Sequence, residues 1–405
     1  DGNFIDDEAA MILGNGLANN STLKQFEFVE IGGDDDDESE ITATGWRALT
    51  RSLSMSNSSL EYLNLCSSNI SDEAMTALGS AVAGYTKLNY FELSNCSSIS
   101  NEGWRSFFNQ LRNSTFSLAA QTKTKVILSG NNIGDDATAA MADAFASIGS
   151  LNGLCLDLGG NHIGNDGVAA LANVLPSISS LKELNLSGNR NITSSGWRPL
   201  FSALQNPDSA LENLFLAGNN IGDEHVAPLV DALANMRSLK KLNLSNTLIT
   251  TSCWRAISRL LEHPNVILEE LTIATGDDNN IKDDVVIDFA NALANNTCLK
   301  ELDLGYSPAI TAWGWGALTN VLCNMSSTDT IYNSNHTLER VGWSENIPNN
   351  LAYSLQLNQN PNKGEVSRQK ILAVHNFRGE NLEEFVNLEL KVLPRAMSWV
   401  GRDVD

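Results

Sequence analysis

The side chains able to do chemistry are scattered along this chain and fall into no catalytic spacing. Six cysteines (Cys66, Cys96, Cys155, Cys253, Cys298 and Cys323) lie far apart, with no C-x-x-C pair and no Cys/His spacing suited to zinc. They are expected as buried free thiols. Cys66 and Cys96 fall in neighbouring segments of similar pattern but at different offsets, which disfavours a disulfide between them. The five histidines (His162, His225, His263, His336 and His375) share no face and are expected at the surface. There is no H-E-x-x-H, no P-loop, no glycine-rich turn after a strand, no Ser/His/Asp order and no paired general acid and base. Two acidic runs, Asp34–Glu38 and Asp277–Asn280, lack the regularly spaced oxygen ligands of an EF-hand loop and read as solvated loops. The sequence predicts no catalytic residue, no cofactor and no metal site.

A column of tryptophans (Trp46, Trp104, Trp197, Trp254 and Trp315), four of them followed by arginine, could be taken for a ladder that stacks a ligand. The same place in other segments holds Met75, Val168, Val226 and Val286, so it calls for an apolar filler and packing is the expected role.

Lys and Arg number 26 against 48 Asp and Glu, a net charge of -22. Such a field repels phosphate backbones, which argues against nucleic acid or anionic lipid as ligand, and it would draw in a basic protein. The same charge also serves to keep a long surface in solution. No run of about eighteen apolar residues occurs, so a membrane-spanning helix is excluded on length. The first residue is Asp1 with no apolar leader, as expected of a processed chain or a piece of a longer one. Acceptor triplets for N-glycosylation at Asn20, Asn57 and Asn113 arise readily in a chain rich in Asn, Ser and Thr, so the compartment stays open.

What must position any functional group is a repeat. The pattern L-x-x-L-x-L, then Asn or a small residue, then Ile, is clearest at Leu181/Leu184/Leu186, Leu211/Leu214/Leu216, Leu239/Leu242/Leu244 and Leu299/Leu302/Leu304. Weaker copies centre on Phe26, Leu63, Phe91, Val126, Leu156, Leu271 and Val341, for about eleven units. From Leu156 to Leu302 the second anchor recurs every 28 to 31 residues, room for a strand and a helix in each unit. Leu214 and Leu216 have the period of a strand, while Val226, Leu229, Val230 and Leu233 form the one-sided stripe of a helix. Units of one kind read Ile-Gly-Asp-Asp/Glu (from Ile133 and Ile221), where the acids suit a helix N-terminus by capping and dipole. The other kind reads Ile-Thr/Ser-x-x-Gly-Trp-Arg (from Ile41, Ile99 and Ile192), and the two mostly alternate. From Trp46 to Trp104 is 58 residues and from Trp197 to Trp254 is 57, so a two-unit module was the expected element of duplication.

These motifs resemble the ribonuclease-inhibitor-like subfamily of leucine-rich repeats over roughly residues 20 to 345. The closing run Leu393–Arg402 is similar to the tail of uncharacterised algal members. The resemblance implies an α/β solenoid, a curved horseshoe with a parallel sheet on the concave face and helices on the convex face. On this reading residues 1–345 form the repeat array and 346–405 a terminal cap, marked by Pro348, Pro361 and Gly364 before a helical run at Glu365.

The concave face is then the candidate binding surface. Its outward positions alternate with the buried leucines, and the larger groups there are Tyr62, Tyr90, Glu92, Asp157, Glu183, Phe215, Lys241, Glu270, Glu301 and Asp303. The position after the last anchor is small in most units (Cys66, Ser94, Ser187, Ala217), which keeps the rim shallow. The expected function is a non-enzymatic scaffold that binds a protein with a basic patch through this face and its loop edges. Two alternatives follow from the same fold: a regulator of a small GTPase, for which no catalytic residue can be matched, and a structural subunit of a larger assembly.

Overall fold

The computed structural model describes residues 5–18, 20–29, 41–55, 59–112, 123–147, 153–274, 281–342 and 347–374. Both acidic runs, Asn57, Asn113, His375 and Leu393–Arg402 lie outside them. The chain divides into two compact units, Asp1–Leu239 and Lys240–Asp405.

In the first unit, strands alternate with helices: α1 (Asp7–Ala18), β1 (Gln25–Glu27), α2 (Ala43–Met55), β2 (Tyr62–Asn64), α3 (Asp72–Gly84), β3 (Tyr90–Glu92), α4 (Asn101–Arg112), β4 (Lys125–Ile127), α5 (Asp135–Ser147), β5 (Leu154–Asp157), α6 (Asn165–Val174), β6 (Leu181–Asn185), α7 (Ser194–Leu204), β7 (Asn213–Phe215) and α8 (Val226–Asn235). The seven strands pair in parallel in chain order, and each helix packs beside the next. The second unit continues the alternation with β8 (Lys241–Asn243), α9 (Thr251–Leu260), β9 (Glu270–Thr272), α10 (Asp283–Leu293), β10 (Glu301–Asp303), α11 (Ala312–Leu322), α12 (Thr328–Tyr332), β11 (Arg340–Val341), α13 (Asn349–Asn358) and α14 (Lys363–Val374). Its four strands are likewise parallel. Among the described residues, no helix is long and apolar enough to cross a membrane.

The fold follows from the pattern. Each strand buries its central anchor (Leu63, Phe91, Leu184, Leu214, Leu271, Leu302) and turns its flanks to the other face, most of them half-exposed, as a period of two requires, with Asn64 and Cys155 buried there. Just after the strand the chain turns inward and buries its carbonyls, which need donors. Asparagines supply them. Asn161 Nδ2 donates to Leu128 O and Leu158 O at 2.9 and 3.0 Å. Asn189 bridges Leu158 O and Leu186 O at 3.0 and 2.9 Å, and Asn219 bridges Leu186 O and Leu216 O at 2.9 Å each. Each amide thus ties one repeat to the one before. Cys96 takes the rung between β3 and α4, its Sγ 3.5 Å from Leu65 O, and neither it nor Cys66 is in a disulfide. In the second unit Thr247 and Ser307 donate only to Leu244 O and Leu304 O of their own repeats, at 2.7 and 2.8 Å.

A second inter-repeat bond runs along the helix starts. Asp72, first residue of α3, accepts from the Ser100 backbone N–H at 2.7 Å and from the Ser100 hydroxyl. Asp7 does the same for Thr42, and Asp283 for Thr311. Asn165 accepts from Thr193 N–H at 2.8 Å, and Asp135 from Gly164 N–H at 2.6 Å. The Thr42 hydroxyl holds the Asp7 carboxyl below the usual carboxylate range. The acids of the Ile-Gly-Asp-Asp/Glu motif are expected to cap their own helices; they sit in the first turn, but Asp135 accepts from Gly164 N–H of the following repeat, while Glu224 accepts from its own backbone N–H and from Ser194 Oγ of the preceding repeat at 3.0 Å. The inter-repeat bonds also explain the glycine before Trp46, Trp104, Trp197 and Trp315; Cys253 takes that place before Trp254. A Cβ on Gly103 would collide with the Asp72 carboxylate, and one on Gly196 would come within 2.7 Å of Asn165 Oδ1. The tryptophans themselves are buried, as are Met75, Val168, Val226 and Val286 at the equivalent place, and Trp197 Nε1 donates to Asn220 O at 3.1 Å.

Two histidines depart from the expected surface positions. His225 is only 3% exposed, at the place where other repeats hold Ala137 or Gly167. Burial lowers its pKa, with Glu224 Oε1 3.8 Å away acting against the shift. His336 packs beneath α14, and burial, followed by the charges of Lys370 and Lys363, pushes it down to about 3. Its Nδ1 lies 3.1 Å from Lys370 Nζ and its Nε2 lies 2.7 Å from Ser367 Oγ. Lys370 Nζ also donates to Leu322 O at 2.6 Å and Asn335 O at 3.2 Å, so a buried amino group closes the C-terminal end of α11. With Nδ1 accepting from Lys370, His336 Nε2–H donates to Ser367, whose hydroxyl is left to donate to Lys363 O at 3.1 Å. The serine is then an acceptor from the ring and is not activated as a nucleophile.

Trp197→Ala should cost about 3–5 kcal/mol through lost burial and the cavity left behind; denaturant unfolding measures it, and an unchanged transition would refute the packing role. Burial lowers Lys370 from its ordinary 10.5 to about 7. The folded pKa lies below the unfolded one, so docking of α14 is firmest above pH 10.5 and weakens as pH falls to about 7. Melting temperatures between pH 7 and 10 should show that rise in the parent and lose it in Lys370→Met.

Candidate functional site

Parallel register brings the outward strand positions of the first unit into two columns. The residues before the anchors run Gln25, Tyr62, Tyr90, Lys125, Cys155, Glu183 and Asn213. Those after the anchors run Glu27, Asn64, Glu92, Ile127, Asp157, Asn185 and Phe215. All six candidates in this unit (Tyr62, Tyr90, Glu92, Asp157, Glu183 and Phe215) therefore stand on one sheet face, each half-buried. Gln25, Glu27, Asn64 and Lys125 join them; the same two-residue parity, applied to the weaker repeats, would have found these.

At the β2–β3 end, Tyr62 and Tyr90 stack with ring centroids 4.4 Å apart and planes at 11°. Stacking fixes both rings before any partner arrives, so ordering them costs nothing on binding. Carboxylates flank the pair. Tyr90 Oη donates to Glu92 Oε2 at 2.5 Å, Ser94 Oγ donates to Glu92 Oε1 at 3.2 Å, and Asn64 Nδ2 donates to Glu27 Oε1 at 3.3 Å. Burial, then the Glu92 hydrogen bond and charge, raise the Tyr90 phenol above its ordinary value. Further along, burial raises the Asp157 carboxyl against the opposing effect of donors from Gly159 N–H at 2.9 Å and Asn185 Nδ2 at 2.8 Å. Glu183 and Glu92 add to the rise through their charges. Glu183 accepts from Asn213 Nδ2 at 2.8 Å. Cys155, in the same column, is a buried thiol pushed up chiefly by desolvation, the opposite of what a reactive cysteine needs.

The second unit holds the other four candidates on the equivalent face with a different charge pattern. Lys241 pairs with Glu270 at 2.8 Å, and Glu301 pairs with Arg340 across the next rung. Asp303 accepts from Gly305 N–H at 2.8 Å. Cations and carboxylates here offset one another, and being solvent-exposed the pairs add little stability. Lys24–Glu61 (3.1 Å), Lys182–Glu212 (2.7 Å) and Lys300–Glu269 (2.6 Å) form similar pairs one residue ahead of these columns. Among the described residues, no group of three His, Cys, Asp or Glu side chains could hold a metal ion.

A family model described as "Leucine Rich repeat" matches residues 56–79, 154–172 and 177–201. The chain is 32% identical over 122 residues to mouse "NACHT, LRR and PYD domains-containing protein 14", a match covering 30% of this chain and 12% of that protein. It is 29% identical over 117 residues to mouse "NACHT, LRR and PYD domains-containing protein 5", covering 29% and 10%. The chain thus spans about a tenth of the length of these curated relatives. Among solved structures, "Leiomodin-1 Actin-Binding Site 2 (ABS2)" matches at 18% identity with a TM-score of 0.32, covering 44% of this chain and 94% of that one, a likeness too loose to argue from. The matched motifs, the parallel strands that alternate with helices, and the asparagine rungs that join them make this chain a leucine-rich-repeat solenoid.

Proposed function

We propose that this chain is a non-enzymatic scaffold that binds a basic protein through the solvent-facing sheet of its first unit. The observation that carries the reading is the rigid Tyr62–Tyr90 stack flanked by Glu27 and Glu92, with Asp157 and Glu183 further along the same register. A pre-ordered aromatic anchor within an acidic surround suits a Lys- or Arg-bearing patch, which can stack on the rings and meet the carboxylates. In this unit Lys125 is the cation in the two columns, against Glu27, Glu92, Asp157 and Glu183. The candidates of the second unit (Lys241, Glu270, Glu301 and Asp303) would add shape more than charge, since three of them are already in ion pairs.

Protein binding is in keeping with leucine-rich repeats, which act in general as interaction modules. Repeats of 28 to 31 residues, each with a full helix, favour the ribonuclease-inhibitor-like subfamily. Residues 346–405 are read as the cap of the array. In support, α13 packs on α11 and β11, and α14 on α12 and α13.

A photo-crosslinking residue at Tyr90 should capture a partner rich in Lys and Arg from the native source, while one at the exposed Asn173 on α6 should not. With that partner in hand, Glu92→Lys plus Glu183→Lys should slow association about tenfold or more at low salt and flatten its salt dependence. Capture from Asn173 alone, or an unchanged on-rate in the double variant, would remove this face from the function.

A further inference from the structure

The second residue of each helix in the array is polar where the helix begins regularly. It is Glu8 in α1, Glu102 in α4, Asp166 in α6, Ser195 in α7 and Asp284 in α10, and Thr44, Glu73, Asp136 and Ser252 keep the rule. Physics favours this, because the helix N-terminus carries unpaired N–H groups and the positive end of the dipole. In α11 that position holds Trp313, 74% exposed. The turn that leads into α11 departs in the same direction. Tyr306, 67% exposed, stands where other repeats place Gly160, Gly188 or Gly218. Between the two aromatics, Pro308 and Ala312 are exposed and Ala309 half-exposed. The polar side chains of the stretch are already engaged: Ser307 donates to Leu304 O at 2.8 Å, and Thr311 is bonded to Asp283. An array that places polar residues at its other regular helix starts exposes here its largest apolar side chain.

We propose that the β10–α11 loop edge is a docking site for a protein segment carrying arginine or lysine beside an aliphatic residue, with Trp313 as anchor and Tyr306 as second contact. The occupant follows from charge. The exposed Asp284 holds on α10 the position that Trp313 holds on the adjacent α11, and Asp283 lies beside it; Lys282 precedes them and leaves the helix start net acidic. The protein carries a net charge of -22. A guanidinium laid over the indole face can reach Asp284, while the neighbouring aliphatic side chain covers Pro308 and Tyr306. An acidic or purely apolar segment would satisfy only part of this surface. The site lies on a loop edge of the second unit, so it stands or falls independently of the sheet face of the first.

The test uses the full chain labelled with 5-fluorotryptophan, its Trp313 resonance assigned through Trp313→Phe. A short synthetic peptide alternating arginine and leucine is titrated in, with glutamate–leucine and arginine–serine peptides as controls. The expected result is a Trp313 shift with the arginine–leucine peptide, and affinity weakened about tenfold by Trp313→Ala and by Asp284→Arg at unchanged melting temperature. Glu92→Lys plus Glu183→Lys should leave that affinity unaltered. The proposal is overturned if the glutamate–leucine or arginine–serine peptide binds as well, or if Trp313→Ala binds like the parent. It is equally overturned if the Trp313 resonance moves with protein concentration alone, which would make the edge a contact between copies.

Discussion

Everything in this molecule depends on satisfying backbone groups where each strand turns inward. A parallel strand of three residues pairs its own N–H and C=O groups sideways, but the turn that follows buries carbonyls with no strand to meet them. Leaving such a group unpaired costs about 1–3 kcal/mol, repeated at every repeat. Asn161, Asn189 and Asn219 answer this with one amide that donates to two carbonyls, its own repeat's and its predecessor's. The same bond that relieves the local cost fixes the spacing between repeats, and so sets the register that places the outward side chains in columns. Where the asparagine gives way to Thr247 or Ser307, the hydroxyl reaches only its own repeat.

Register then governs the chemistry of the exposed face. Side chains one rung apart are close enough to stack or to pair, so the character of a surface is decided by which residue types follow one another across strands. Tyr62 above Tyr90 gives a rigid aromatic plate. Lys241 above Glu270, and Glu301 above Arg340, give self-neutralised pairs. The two units use the same scaffold and present different fields.

Much of this was legible in the sequence, for a reason specific to repeats. The buried strands, the helix stripes and the tryptophan column recur, and a position that holds Trp, Met and Val in turn declares itself apolar. The outward candidates followed from two-residue parity. What escaped depends on contacts between repeats or on elements without a period. Asp72 and Asp135 look like caps of their own helices; their bonds to Ser100 and Gly164 appear only once neighbouring repeats are stacked. Glu270 and Glu301 look like free acids until the register supplies Lys241 and Arg340. His336 and Lys370 lie 34 residues apart, Lys370 beyond the repeating pattern, and nothing periodic announces that they meet.

The carboxylate clasps at three of the helix starts share a direction. Three acids of an earlier repeat accept from the later one, Asp7 from Thr42, Asp72 from Ser100 and Asp283 from Thr311, whereas Asn165 both accepts from Thr193 N–H and donates to its hydroxyl, and Ser194 donates to Glu224 of the next repeat. A carboxylate left without its donors is readily hydrated, whereas a helix start deprived of its acceptor keeps orphaned amides against an apolar core. Where such an acid stands, the later helix start finds its acceptor on the repeat before it. At those three junctions, loss of the earlier repeat would leave amides orphaned, whereas loss of the later one would leave only a carboxylate for water to solvate.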